Sequence, residues 1–273
     1  PFEGASGVMH PLLAESVTQF QAQAYNEILP SQGPVKTQVI GMSNAETEQQ
    51  ASRVQEFMNY QLMQVMKEYD SETDQMLFYL PLSGSAFRKV YYDQNLGRAV
   101  SKFIPSEDLI VPYAATDLHS ATRITHVIDM SMNDIKKLQQ IGFYRDVDIS
   151  TGDMMADDYD EVQEEIDELQ GVSPSYDDDD TCRVHEVHTE LDLEGYEDLD
   201  SEGEETGIKL PYIITIANDK VLSIRRNYKE TDQLKQRINY FVHYKFLPGL
   251  GFYGFGLTHM IGGLSKASTS ILR

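Results

Sequence analysis

Cys182, His185 and His188 offer a thiol and two imidazoles at C-x2-H-x2-H spacing, donor types that a zinc ion accepts. That spacing is too short for a zinc finger and has no second half. On a strand, Cys182 and His188 would face one side and His185 the other, so the three diverge. Asp198-x-Asp200-x-Glu202-Gly203 begins like a calcium loop, but the twelfth position, where a bidentate acid belongs, is Lys209. Ser83-Gly84-Ser85 is a turn without the G-x-S-x-G form of a nucleophile elbow. The glycines at 249, 251, 254, 256, 262 and 263 do not follow a strand as G-x-G-x-x-G, and no P-loop Gly-Lys-Ser/Thr occurs. His10, His119, His126, His243 and His259 have no partner visible at sequence level. The carboxylates are too numerous to single out an acid–base pair. The basic residues, among them Arg88, Lys89, Arg225, Arg226 and Lys235, are scattered rather than aligned as a nucleic-acid track. No catalytic, metal-ligating or cofactor-binding residue is assigned, and no cofactor is expected.

The charge that surrounds these groups is unevenly spread. Net charge is −22, yet 25 of the 44 acidic residues lie between Asp146 and Glu205, with Arg183 as the one basic residue there. The remainder holds 21 basic against 19 acidic residues and is nearly neutral. A nearly neutral body therefore carries one intensely acidic region, which repels nucleic acid and aids solubility. The single cysteine excludes an internal disulfide framework. No apolar run approaches the length of a membrane span, and no signal peptide is visible.

The elements that must position these residues read as α+β. A helix is expected over Pro11 to Leu29, with Leu13, Val17, Phe20, Ala24 and Ile28 on its apolar face. Pro34 to Gly41 reads as a short strand. Ser43 and Glu46 make a capping-box pattern for a long helix, whose Val54, Phe57, Met58, Leu62, Val65, Met66 and Tyr69 form an apolar stripe up to a break near Asp70. Thr73 to Leu80 has no polar face and reads as a helix buried all round, ending at Pro81.

Ala86 to Tyr92 and Arg98 to Ile104 form a hairpin, and Ala121 to Asp129 a half-buried strand. Ser131 and Asp134 cap a helix that Gly142 stops. In the acidic region, Met154 to Leu169 reads as an exposed helix and Asp177 to Asp180 as solvated loop. Strands follow at Thr181 to Leu193, Pro211 to Ala217, Lys220 to Arg226 and Tyr240 to Phe246, the middle two joined by the turn Asn218-Asp219.

Leu247 to Arg273 closes the chain with a glycine-punctuated aromatic loop and a helix rich in small side chains. Gly254, Gly256, Gly262 and Gly263 are expected to act as a hinge and to permit close neighbours. Leu264, Ala267, Ser268 and Ile271 are expected to form a face that packs on another subunit. The helical pattern still runs at Arg273 without a capping residue, which points to a piece of a longer protein.

Five blocks in order resemble the portal protein, or head-to-tail connector, of short-tailed double-stranded DNA bacteriophages. They are GVMHPLLAESVTQFQAQAYNEILPSQGPVKTQVIG, ETEQQASRVQEFMNYQLM, LPLSGSAFRKVYYD, FIPSEDLIVPYAATDLHSATRITHV and GFYGFGLTHMIGGLSKASTSILR. The resemblance covers most of the chain outside the acidic region and carries no catalytic signature. It implies a non-enzymatic subunit of a homo-oligomeric ring, usually a dodecamer, at one vertex of the capsid. DNA passes through such a ring during packaging and ejection, without sequence-specific binding and with no membrane involved.

The resemblance further implies terminase, capsid or scaffold, and tail adaptor proteins as partners, assembly in the host cytoplasm, and residence in the virion. It makes residues 1–246 a wing domain with helices on antiparallel strands and an acidic insertion at about 146–207. Residues 247–273 become the hinge and the start of the first stem helix, with clip, tunnel loop and crown beyond Arg273. The alternative expectation is a carboxylate-rich metal-dependent enzyme or a divalent-cation-binding module.

Overall fold

A computed structural model describes residues 7–149, 181–199 and 203–273. The architecture is α+β, and the chain divides into two compact units. Unit 1 comprises Pro1–Glu107, Ala115–His119 and Asn239–Arg273, so the last strand and helix belong with the N-terminal elements. Unit 2 comprises Asp108–Ala114 and Ser120–Ile238.

Unit 1 begins with α1 (Leu12–Ile28), held on the body by buried Val17, with Phe20, Ala24 and Tyr25 packed against the core. Leu29, not Ile28, is the buried residue at its end, because the helix has already stopped and turned. The expected strand at Pro34 to Gly41 does not form. The segment is extended and lies along α2 (Ala45–Tyr60), whose amide side chains take the place of a neighbouring strand. Asn59 accepts from the Val35 amide at 2.9 Å and donates to its carbonyl at 3.1 Å, while Gln55 accepts from the Thr37 amide at 3.2 Å.

The cap of α2 is Asn44, which accepts from the Thr47 amide at 2.8 Å; Ser43 instead donates to Glu48. A π-helical turn over Gln61–Val65 follows, and the break falls at Met66 rather than near Asp70. The face of α2 that carries Gln55 and Asn59 is the one turned to the chain. Consequently the first half of the apolar stripe is exposed, Val54 51%, Phe57 62% and Met58 44%, while beyond the π-turn Met66 is buried and Leu62, Val65 and Tyr69 are half-buried.

α3 (Tyr69–Ser83) runs through Pro81, which sits in the last turn, and stops at Gly84, whose φ of 90° ends the helix. It buries Met76, Leu77 and Leu80, but Phe78 is exposed, so it is not enclosed on all sides. β1 (Ser85–Asp93) and β2 (Arg98–Ile104) form the expected hairpin.

β3 (Leu109–Ile110), β4 (Arg123–Ser131), α4 (Met132–Gln140), β5 (Thr181–Leu191), β6 (Leu210–Ala217) and β7 (Lys220–Arg226) build unit 2. They form an antiparallel sheet in the order β3-β4-β5-β6-β7. Ser131 caps α4 through the Asp134 amide at 3.1 Å, as its spacing predicts. Asn218 and Asp219 take positive φ values of 45° and 59°, the two-residue turn that joins β6 to β7. Met132 and Ile135 of α4 pack with Tyr144, Cys182, Val184, Ala217 and Leu222 as the core. The expected helix at Met154 to Leu169 and loop at Asp177 to Asp180 lie outside the described residues.

β8 (Phe241–Lys245) returns to unit 1 and pairs antiparallel with β1, giving the sheet β2-β1-β8. α5 (Leu257–Leu272) follows and packs on α1 and α3. Among the described residues no helix is long and apolar enough to cross a membrane.

Candidate functional site

The joint at the base of α5 is built from backbone. Phe246 donates its amide to the Gly84 carbonyl at 3.0 Å, continuing the β1–β8 pairing to the end of α3. The Gly254 amide donates to Ser85 Oγ at 2.8 Å, and Thr258 donates its hydroxyl to the Leu82 carbonyl at 2.7 Å. A Cβ on Gly254 would lie 2.5 Å from the Gly84 carbonyl oxygen, and one on Gly256 would lie 2.5 Å from the Leu82 carbonyl oxygen. Real side chains do not tolerate such distances, so glycine is required at both. What the sequence marks as a bend at Gly254 and Gly256 is a close crossing of two backbones, pinned by hydrogen bonds. Gly262 and Gly263 differ: the former has one methyl at 3.9 Å and the latter nothing within 4 Å.

Aromatic packing closes the joint from the other side. His243 packs against both Phe87 and Phe252, with centroid distances of 4.4 and 4.8 Å, and the two phenyl rings stand 5.9 Å apart. Burial, aided by Lys245, pushes its pKa down to about 4, so the ring is neutral at pH 7. His243 Nε2 stands 3.2 Å from Ser85 Oγ. This looks like a base beside a nucleophile, but Ser85 is buried and already engaged by the Gly254 amide. His243 also has no carboxylate partner among the described residues. The pair belongs to the joint. Its neighbour His259 accepts from the Gly256 amide at 3.1 Å and so caps the start of α5.

α5 presents two faces. Ile261, Gly262, Ser265, Ser268 and Thr269 turn toward the body, where Thr269 accepts from the His10 amide at 3.1 Å. Met260 (58% exposed), Leu264 (60%), Ala267 and Ile271 (85%) form a line on the outside. Of the four residues expected at a subunit contact, Leu264, Ala267 and Ile271 are therefore exposed together, while Ser268 is half-buried on the other side.

The groups expected to diverge in unit 2 do so. Cys182 and His188 are on the buried face of β5, and His185 is on the opposite one. His188 is committed to Glu186, its Nε2 standing 2.7 Å from Oε1. Arg225 approaches the other carboxylate oxygen at 3.5 Å and stacks over Phe143 at 4.7 Å. Register places His126, Glu186, Thr215 and Ser223 in one row across β4 to β7. Burial, with the negative Glu186 adding to it, pushes the nearby Tyr144 up to about 12.

Sequence reasoning did not find this buried polar row, because its members come from four strands. Asp198, which opens the calcium-like run, holds Lys235 with one oxygen and accepts from Thr206 at 2.8 Å with the other. Lys235 first, then Thr206, holds its carboxyl below the usual carboxylate range. Among the described residues no group of three or more His, Cys, Asp and Glu side chains is placed to hold a metal.

No protein-family model matches the chain, and no curated protein matches it. The arrangement that stands out is a helix fixed at its base, with an exposed apolar line directed away from its own chain.

Proposed function

We propose that the chain is a structural, non-enzymatic subunit that assembles with copies of itself into a portal-type ring. On this reading the ring surrounds double-stranded DNA at a phage capsid vertex, for packaging, ejection and head–tail joining. The observation that carries the reading is the outward line Met260, Leu264, Ala267 and Ile271 on α5. Exposed apolar side chains at helical spacing are costly in water and mark a contact surface when they are contiguous. A helix anchored through Gly84, Gly254 and Gly256 has its direction set by the body, which is what a subunit contact of fixed geometry needs.

The resemblance of the five sequence blocks supplies the rest of the proposal: wing and stem assignments, the dodecamer, the terminase and tail partners, and residence in the virion. A body that is nearly neutral outside its acidic region also suits a channel that must not grip phosphates, since tight phosphate contacts would hold the DNA in place. Electron microscopy of the purified protein tests the proposal. Rings of uniform size are the expected result, and a protein that stays monomeric at all concentrations overturns it.

A further inference from the structure

The end of β7 buries a carboxamide that no other protein group meets. Asn227 is fully buried, and neither its Oδ1 nor its Nδ2 has a hydrogen-bond partner in the protein. Two residues earlier, Arg225 Nε is buried in the same condition. Strand alternation puts Ser223, Arg225 and Asn227 on one face, so the two residues continue the buried polar row of unit 2.

Asn227 is held there by its backbone. Its amide donates to the Pro211 carbonyl at 2.9 Å, and its carbonyl accepts from the Ile238 amide at 2.9 Å. The chain thus leaves at 228 and is tied back at 238, with the Asn227 side chain enclosed. Leaving a carboxamide unmet in such a place would cost a large share of the net stability of a domain. Buried polar groups in folded proteins are met by protein or by internal water.

The chemistry of the unmet atoms selects the ligand. Oδ1 needs a donor, while Nδ2 and Arg225 Nε need an acceptor. An anion would leave Oδ1 unmet, and a metal cation would leave both nitrogens unmet. Water meets all three, and about three hydrogen bonds is the usual number for a buried water. Two residues along a strand advance roughly 6.6 Å, close to the roughly 5.8 Å that one water spans between two partners. No ion is needed to balance charge, because the Glu186 carboxylate already faces His188 at 2.7 Å and Arg225 at 3.5 Å.

We infer that Asn227 and Arg225 form a binding site for an internal water, which the Asn227 carboxamide holds and which accepts from Arg225 Nε. The site belongs to unit 2 alone and does not depend on the ring-forming reading, since a single copy carries it whole.

A structure of the purified protein that shows ordered water tests the inference, from crystals or from electron microscopy of the assembly it forms. The expected result is one water within hydrogen-bond distance of Asn227 Oδ1, Asn227 Nδ2 and Arg225 Nε. A dry site, a carboxamide bonded to protein groups instead, or a peak with the anomalous signal of an ion overturns it. Asn227→Leu keeps the size of the side chain and removes both polar atoms. In a dry site this change relieves an unmet amide and raises the melting temperature. With water bound it strips the water of two partners, and a fall of roughly 2–4 °C is expected. An unchanged or higher melting temperature overturns the inference. If the variant does not fold, the density in the unsubstituted protein decides alone.

Discussion

Gly84 and Gly256 lie back to back: a Cβ added to Gly256 would stand 2.6 Å from the Gly84 amide nitrogen, although 172 positions separate the two in sequence. The end of α3 and the start of α5 are thus one joint, with no side chain between them.

This relationship predicts a sharp contrast among the glycines. Gly256→Ala is expected to cost about 1–3 kcal/mol, the range for forcing atoms into a packed site. Gly84→Ala adds the penalty of a left-handed conformation at φ 90°, roughly 1 kcal/mol more. Gly263→Ala, with nothing within 4 Å of the new Cβ, is expected to be neutral or to stabilise the helix by up to ~1 kcal/mol. Urea denaturation of the three variants measures the order.

Asn59 substitutes for a strand partner, and its loss should show. Asn59→Ala removes both hydrogen bonds to Val35 and leaves a half-buried amide and carbonyl without protein partners. The expected loss is about 1–3 kcal/mol. Val54→Ser on the neighbouring exposed face should stay within roughly 0.5 kcal/mol in the monomer. Equal losses at the two positions would mean that the apolar face is the buried one.

Glu186 is the shared acceptor of His188 and Arg225. Glu186→Gln removes the charge that both cations or donors face, and is expected to cost ~3 kcal/mol, as for a buried pair broken on one side. Replacing Glu186, His188 and Arg225 together by Leu should cost less than Glu186→Gln alone, because no uncompensated charge is left behind. Thermal unfolding of the two proteins decides between a pair that is merely tolerated and one that the fold requires.

His243 sets a pH dependence. Its pKa in the folded chain, about 4, lies below the ordinary 6.5, so between these values the unfolded chain binds more protons than the folded one. Stability from this site is therefore full above about pH 6.5 and is lost progressively as pH falls toward 4. Partial exposure of the ring lessens the effect through solvent screening. His243→Gln should flatten the acid side of the stability profile, read as melting temperature across that pH window.

Local structure was legible because its causes are local. Pro11 and Leu29 bracket α1, Ser131 and Asp134 start α4, and Asn218-Asp219 turns β6 into β7, each through hydrogen bonds or φ preferences within a few residues. The divergence of Cys182 and His185 followed from strand alternation alone. The outward placement of Leu264, Ala267 and Ile271 was legible only as a stripe, since periodicity separates the faces of a helix without saying which one meets the body.

α2 shows the cost of that ambiguity. Its apolar stripe is continuous in sequence, yet Asn59 and Gln55 bind the backbone of residues 35–37 and turn Val54, Phe57 and Met58 outward, while Met66 at its far end is buried. Three further features exist only in the folded chain: the β1–β8 pairing, the row from His126 to Ser223, and the crossing at Gly84, Gly254 and Gly256. Each joins residues from distant segments, and no pattern within a segment specifies which distant surface it will meet. The sequence by itself determined the helices, hairpins and charge distribution, because those depend on near neighbours. Tertiary structure decided which faces were covered, because burial depends on partners that the chain brings from far away.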